Sequence, residues 1–430
     1  MLTQRSRRSS PWKRWLQPWE NLDIYLFWTP ILLTGLGGLL IRSTELHQGW
    51  TDWSQHWIVG AVGIGLMLLF ARLNYKTLLS LHWLIYGLTS LALLAVKFVG
   101  TSALGAQRWI NIAGFNVQPS EFAKLGLIIS VAALLHHRPA DTIPAVLRTL
   151  LITALPWGLV FIQPDLGTSL VFGAITLGML YWGNAHGGWI ILMLSPLISA
   201  ILLNIPMPPA LTIVLWIGWT LIMGGVAWWT LPNPLVSAII SMVVNLGAAT
   251  FGHFVWGLLQ DYQRDRLILF LDPDKDPLGG GYHLIQSRIA IGAGQLWGKG
   301  LNQGTQTQLN FIPEQHTDFI FSAVGEEFGF LGCLFLMVAF WLICVRLIKV
   351  ANDSEDNFGS LLCIGIFAML IFQVVINVGM TIGLAPVTGI PLPWLSYGRS
   401  ALLTNYMALG LAQSVANHPP PRRGLYPTRR

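Results

Sequence analysis

Apolar residues run through this chain in long blocks divided by short polar connections, without the strict alternation that marks strands. A helix rises 1.5 Å per residue, so about 20 apolar residues cross the roughly 30 Å hydrocarbon core of a bilayer. Twelve blocks approach that length: 24–41, 57–71, 81–99, 120–136, 143–162, 166–182, 189–204, 210–230, 235–258, 317–345, 359–382 and 398–416. The pattern predicts an all-α polytopic membrane protein with about twelve transmembrane helices.

One stretch breaks the rhythm. Asp272–Phe321 is long and polar, rich in glycine, and carries Asp272, Asp274, Asp276, Glu314 and Asp318. Connections this long are mostly functional or disordered. Apolar residues spaced along it, among them Leu284, Ile289, Leu296 and Phe311, argue against disorder. The loop 261–316 is therefore expected to fold against the membrane domain and to hold the chemistry.

Composition sharpens this picture. The chain is 53% hydrophobic and 10% charged, where a soluble domain is about 25% charged. Its 20 tryptophans suit two interfacial belts. The net charge of +6 is concentrated at the ends, with Arg5, Arg7, Arg8, Lys13 and Arg14 in front and Arg422, Arg423, Arg429 and Arg430 behind. Beside apolar spans, such clusters determine topology, and nucleic acid is not an expected partner. An even span count puts both ends on one side, and the short loops Arg72–Lys76, Arg138 and Arg346–Lys349 share that side and its charge. Both termini are expected in the cytoplasm of a cytoplasmic (inner) membrane protein. The organisation expected is a basic tail and interfacial segment at 1–23, a membrane domain at 24–416, and a basic tail at 417–430. Within 1–23, Pro11–Asp23 reads as a short interfacial anchor carrying Trp12, Trp15 and Trp19. The first apolar run starts late and is long enough to stay as a span, so no cleavable signal is expected. Cys333, Cys344 and Cys363 lie in apolar runs and read as small buried residues.

This sidedness places 105–118, 163–165, 261–316 and 385–398 together on the outer face, and these hold the residues that could carry chemistry. Asp276 is displayed by the turn Asp-Pro-Leu-Gly-Gly-Gly, although Asp272 and Asp274 compete with it and a solvated turn aspartate is the plain alternative. Glu121 and Lys124, three apart at a helix start, place two charges in a membrane helix. They are either functional or a neutralising pair that positions the helix. Arg108-Trp109 is a cation beside an interfacial aromatic, which alone would be a belt anchor. Asp165 reads first as a helix cap, and His316-Thr317-Asp318 opens the next span with either Thr317 or Asp318 as its cap. At least one of Glu326 and Glu327 must face the bundle interior. The Pro-rich stretch 389–398 reads as a rigid wall. Zinc spacing, a P-loop and a Ser-His-Asp arrangement are all missing from the sequence.

Taken in order, Arg108-Trp109, PSEFAK at 119–124, QPDLGTS at 163–169, DPLGGGYH at 276–283, HTDFIF at 316–321 and GIPLPWLSYG at 389–398 resemble the SEDS family (shape, elongation, division and sporulation). The resemblance covers about Leu22 to Ser414, and Gly304-Thr305-Gln306 is similar to the elongation branch. Two departures stand out: Arg399 where the family has a second glycine, and a region 189–258 longer by about two spans than a ten-span pattern.

The resemblance implies a peptidoglycan glycosyltransferase that polymerises lipid II at the outer face during cell elongation. It implies a class B penicillin-binding protein (transpeptidase) and other elongation-complex membrane proteins as partners. Carried over by position, Asp276 corresponds to the family's essential carboxylate and is expected to be the general base. Arg108, Trp109, Glu121, Lys124, Asp165, His316 and Asp318 are expected around the substrate. Lys124 and Arg108 are the cations for the departing diphosphate, with a divalent cation (Mg or Mn) able to share that work. A lipid II flippase would favour midplane polar residues and inverted repeats, whereas polar motifs here sit at the outer ends. A non-catalytic scaffold would have little use for a displayed carboxylate and a buried Glu/Lys pair.

Sidedness yields a first prediction. In a background lacking Cys333, Cys344 and Cys363, a cysteine at Gln303 should react with a membrane-impermeant thiol reagent in intact cells. One at Asn357 should react only after the membrane is opened, and the reverse pattern would take the loop off the outer face.

Overall fold

The computed structural model describes residues 22–46, 52–103, 106–112, 114–204, 208–258, 264, 266, 268–270, 275–276, 281–309 and 311–418. The anchor at Pro11–Asp23 up to residue 21, the tail from 419, and Asp272 and Asp274 lie outside these residues.

All twelve apolar blocks are found as helices: α1 (Ile24–Glu45), α2 (Asp52–Arg72), α3 (Lys76–Val99), α4 (Pro119–His137), α5 (Ile143–Ile162), α6 (Leu166–Trp182), α7 (Gly187–Asn204), α8 (Pro209–Thr230), α9 (Pro234–Leu258), α12 (Ile320–Asn352), α13 (Asn357–Ile382) and α14 (Arg399–Asn417). Two shorter helices, α10 (Tyr282–Ala293) and α11 (Thr305–Gln308), lie in the long loop. Among the described residues eight helices are long and apolar enough to cross a membrane, and α6, α7 and α9 add shorter apolar stretches. The molecule is an all-α polytopic membrane protein with one local exception. Residues 101–117 form a small antiparallel sheet, β1 (Thr101–Ala103), β2 (Ala106–Ile112) and β3 (Phe115–Val117), in the order β1-β2-β3. Strands this short leave little pattern to read beside long apolar spans.

The boundaries differ where charge is neutralised inside the protein. The apolar run 317–345 continues as helix to Asn352, and Arg346 within this extension is paired with Asp23. Its Nε donates to Asp23 Oδ2 at 2.8 Å, and its guanidinium lies 5.2 Å from the Tyr25 ring centre. Asp23 also caps α1, accepting from Tyr25 and Leu26 N at 3.1 Å each. Gln413 of α14 closes the cluster, accepting from Asp23 N and donating to Asp23 O, both at 2.8 Å.

α14 is the most polar of the long helices and one of the most buried. Thr404, Asn405, Gln413 and Ser414 are all enclosed by protein. Its surroundings are other helices rather than lipid, so interhelical hydrogen bonds and close packing hold it. Tyr406 OH lies 2.7 Å from Thr34 Oγ1 of α1. A Cβ on Gly63 of α2 would come within 2.4 Å of the Tyr406 ring. α4 is likewise central, whereas α3 is almost wholly at the periphery.

α12 is broken at Gly329, where φ is +64°. Residues 294–300 lie in the break: Phe330 N donates to Gln295 O at 2.8 Å, and Lys299 N and Gly300 N donate to Glu326 O and Glu327 O at 3.0 Å each. Contact is so close that a Cβ on Gly298, at φ +79°, would stand 2.2 Å from Glu327 O. Gly298→Ala is expected to destabilise the purified protein by about 1–3 kcal/mol, from a left-handed backbone and a backbone clash together. A melting temperature equal to wild type would refute this packing.

Candidate active site

Four loops meet at one end of the bundle, and the sequence supplies each with a stiff element. Residues 108–118 come from β2, β3 and the residue that leads into α4. Residues 163–165 join α5 to α6, residues 313–319 precede α12, and the Pro-rich wall 389–398 precedes α14. Asn377 of α13 ties two of them together, donating to Asp318 O at 3.0 Å and to Ile390 O at 2.8 Å. Tyr397 N donates to His316 O at 2.9 Å. Between the loops lies a cavity of about 590 Å³, lined by Arg108, Trp109, Arg266, Glu314, Asp318 and Arg399 together with Gln118, Tyr397 and Ser400.

Arg108 donates to Pro164 O and has Asp165 Oδ1 3.9 Å from its guanidinium. Asp165 does what a helix cap does, accepting from Thr168 N at 3.2 Å and Thr168 Oγ1 at 2.9 Å. It also accepts from Gln118 Nε2 at 3.1 Å, so the cap of α6 and the wall of the cavity are one cluster. Asp318 lies just before α12 and does not cap it. A Cβ on Gly389 would stand 3.5 Å from Asp318 Oδ2 and 3.8 Å from Arg266 Nη1. Burial pushes the Asp318 carboxyl up to about 6, against the opposing pull of Arg266. The His316 imidazole is pushed below its ordinary value, again by burial. Its ring lies 5.9 Å from that of Tyr397.

Glu121 and Lys124 are buried in α4 beyond Gln118 and form an ion pair at 2.8 Å. The contact is not aligned as a hydrogen bond, which leaves Glu121 Oε2 without a hydrogen-bond partner among the described residues. Neither side chain lines the cavity. Asp276 is exposed, and its carbonyl accepts from Gly281 N at 3.0 Å at the entry to α10. Among the described residues it is not part of the cavity wall. The structure thus brings Arg108, Trp109 and Asp318 into the wall, with Asp165 and His316 bonded to wall residues.

The sequence reading missed Arg266, Gln118 and Asn377. Arg266 stands directly before an apolar run and carries no motif of its own, so only proximity to Asp318 reveals it. It also left Gly304-Thr305-Gln306 without a physical role. The buried Glu326 carboxylate supplies one by capping α11, accepting from Gln306 N at 2.9 Å, Thr307 N at 2.8 Å and Thr307 Oγ1 at 2.6 Å. Lys299 Nζ adds an ion pair at 3.0 Å. Glu327 is buried too and accepts from Ser43 Oγ of α1, so both carboxylates face inward. Among the described residues no three His, Cys, Asp or Glu side chains gather as a metal centre.

A polar, arginine-lined cavity at one end of a membrane bundle suits an anionic, lipid-borne substrate. The chain belongs to the FtsW/RodA/SpoVE family of cell cycle proteins, whose model matches residues 27–211 and 189–419. The two matches overlap at 189–211, within the region noted as long. It is 34% identical over 413 residues to the peptidoglycan glycosyltransferase MrdB of Escherichia coli (strain K12), covering 93% of this chain and 97% of that protein. It is 32% identical over 429 residues to the peptidoglycan glycosyltransferase RodA of Treponema pallidum (strain Nichols), covering 92% and 98%. A solved chain from a peptidoglycan synthase complex that coordinates polymerization and crosslinking superposes with a TM-score of 0.69 at 27% identity, over 93% of this chain and 98% of that one. The rod shape determining protein RodA of Thermus thermophilus shares the fold, with a TM-score of 0.59 at 23% identity over 93% and 97%.

The Asp318 environment makes a prediction about pH. Its folded value lies above the ordinary 3.8, so the folded state binds more protons than the unfolded between about 4 and 6. Stability from this group is complete at the acid end of that window and is lost as pH rises through about 6. Asp318→Asn should flatten that part of the melting temperature–pH profile and melt higher than wild type at pH 7–8. An unchanged profile would remove Asp318 from the cavity wall.

Proposed function

We propose that this chain polymerises lipid II into glycan strands at the outer face of the cytoplasmic membrane, a reading supported by relatives named as peptidoglycan glycosyltransferases. The observation that carries the reading is the cavity where Arg108, Arg266 and Arg399 face one space with Asp318 and Glu314. It can hold a diphosphate in cationic walls at the level where a membrane-anchored donor presents it. A flippase would need a polar path through the bundle, whereas these groups gather at one end.

Transfer joins the acceptor's 4-hydroxyl oxygen to the donor's anomeric carbon while the bond to undecaprenyl diphosphate breaks. Going from an α-linked diphosphate to a β-1,4 bond inverts that centre, which needs one base and no covalent enzyme intermediate. Asp276 is the proposed base, displayed at the entry to α10 and open to the face where two substrates approach. A positioned base contributes about 10²–10⁴ in rate. Arg108, held by Pro164 and Asp165, offsets the charge on the leaving diphosphate. Glu121 and Lys124 act through the helix they hold rather than by touching substrate. Glu314 and Asp318 are oxygen donors of the kind magnesium or manganese takes, and would share such an ion if it entered with the diphosphate. The partner proposed is a class B penicillin-binding protein that crosslinks the strands. The cytoplasmic placement of both termini belongs to the same reading.

Asp276→Ala should lower polymerisation of labelled lipid II by about 10²–10⁴ while leaving membrane insertion and partner binding intact. Polymer formed at the wild-type rate by the purified variant would exclude Asp276 as the base.

A further inference from the structure

We propose that Arg399 is a substrate-binding residue that grips the lipid-linked diphosphate, an inference that rests on the polymerase reading above. Arg399 opens α14 and lines the cavity. Its Nε donates to Tyr397 OH at 3.0 Å, and its Nη2 donates to Gln55 Oε1 of α2. The guanidinium carbon lies 5.2 Å from the ring centre of Phe115 and 5.9 Å from that of Tyr397. Two neutral acceptors and two rings therefore fix the group from three sides. A guanidinium has five N–H donors in a planar fork, and these two bonds leave part of the fork for a ligand.

Charge separates Arg399 from the other two arginines in the wall. Arg108 has Asp165 within 3.9 Å, and Arg266 stands against Asp318, whose carboxyl it pulls down. Asp52 bears on the Tyr397 hydroxyl, but among the described residues no carboxylate comes within ion-pair distance of Arg399. Unlike Arg108, it reaches the nearest carboxylate, Asp52, only through the Tyr397 hydroxyl. Ser400 and Ala401, the next two residues of α14, line the same cavity, so the positive end of the helix dipole points the same way. A planar fork beside a helix N-terminus matches the oxygens of a phosphate.

The test measures binding directly and needs no turnover. Purified wild type, Arg399→Gly and Arg399→Gln are titrated with undecaprenyl diphosphate, with uncharged undecaprenol and with phosphatidylglycerol. Both variants should bind undecaprenyl diphosphate about tenfold more weakly, as for loss of a charge-assisted contact. Undecaprenol and phosphatidylglycerol should be unaffected. In polymerisation assays KM for lipid II should rise more than kcat falls. The glutamine variant keeps a polar side chain for Tyr397 and Gln55, so it decides the matter if the glycine variant does not fold. Undecaprenyl diphosphate binding as tight as wild type overturns the proposal. Equal weakening with undecaprenol would mean a structural role, and equal weakening with phosphatidylglycerol a general headgroup contact; either also overturns it. If wild type binds undecaprenyl diphosphate through Arg399 but makes no polymer, the polymerase reading fails while the Arg399 assignment stands.

Discussion

A carboxylate enclosed inside a membrane domain must find its hydrogen bonds within the protein, and Glu326 finds all of its own in the loop that precedes α12. Lys299, Thr305, Gln306 and Thr307 all converge on it. Leaving such a group unpaired would cost several kcal/mol, so the loop is not free to leave the bundle. Much of the cavity end of the bundle follows from that attachment. The segment 294–300 is drawn into the break at Gly329, Gln315 is brought to donate to Thr44 O and Thr307 O at 3.1 Å each, and residues 316–318 reach the wall beside Tyr397.

A second attachment acts at the other end of the bundle. Asp23, Arg346 and Gln413 bond α1, α12 and α14 to one another. With α14 held at that end and packed glycine to tyrosine against α2 along its length, the position of its first residues is determined. Arg399, Ser400 and Ala401 are delivered to the cavity by contacts far from it. The wall of the site is thus a product of packing along a whole helix as much as of the loop that carries its motif.

This division explains what could be read from the residues alone. Lipid enforces apolarity along every peripheral helix, so the spans were legible, including those of 189–258. Asp165 and Arg108 were legible because charges near a membrane demand partners. Arg266, Gln118 and Asn377 were not, since each is an ordinary polar residue whose significance lies in what stands across from it. The sheet at 101–117 was hidden for another reason: its strands are three to seven residues long and pair mainly with one another. Glu121 and Lys124 drew attention as intramembrane charges, and the structure places them behind the wall, neutralising each other in α4.

The rings and neutral acceptors around Arg399 bear on the entropy of recognition. A free arginine side chain loses about 2 kcal/mol of rotamer freedom when it is immobilised. Here Gln55, Tyr397 and Phe115 have already immobilised it, so that loss is met when the chain folds and is not charged to each binding event. A preorganised cation also needs no rearrangement as charge shifts onto a leaving group. An enzyme that must take up and release a charged lipid at every turnover gains from this, because its grip is quick to form and carries no reordering step to undo.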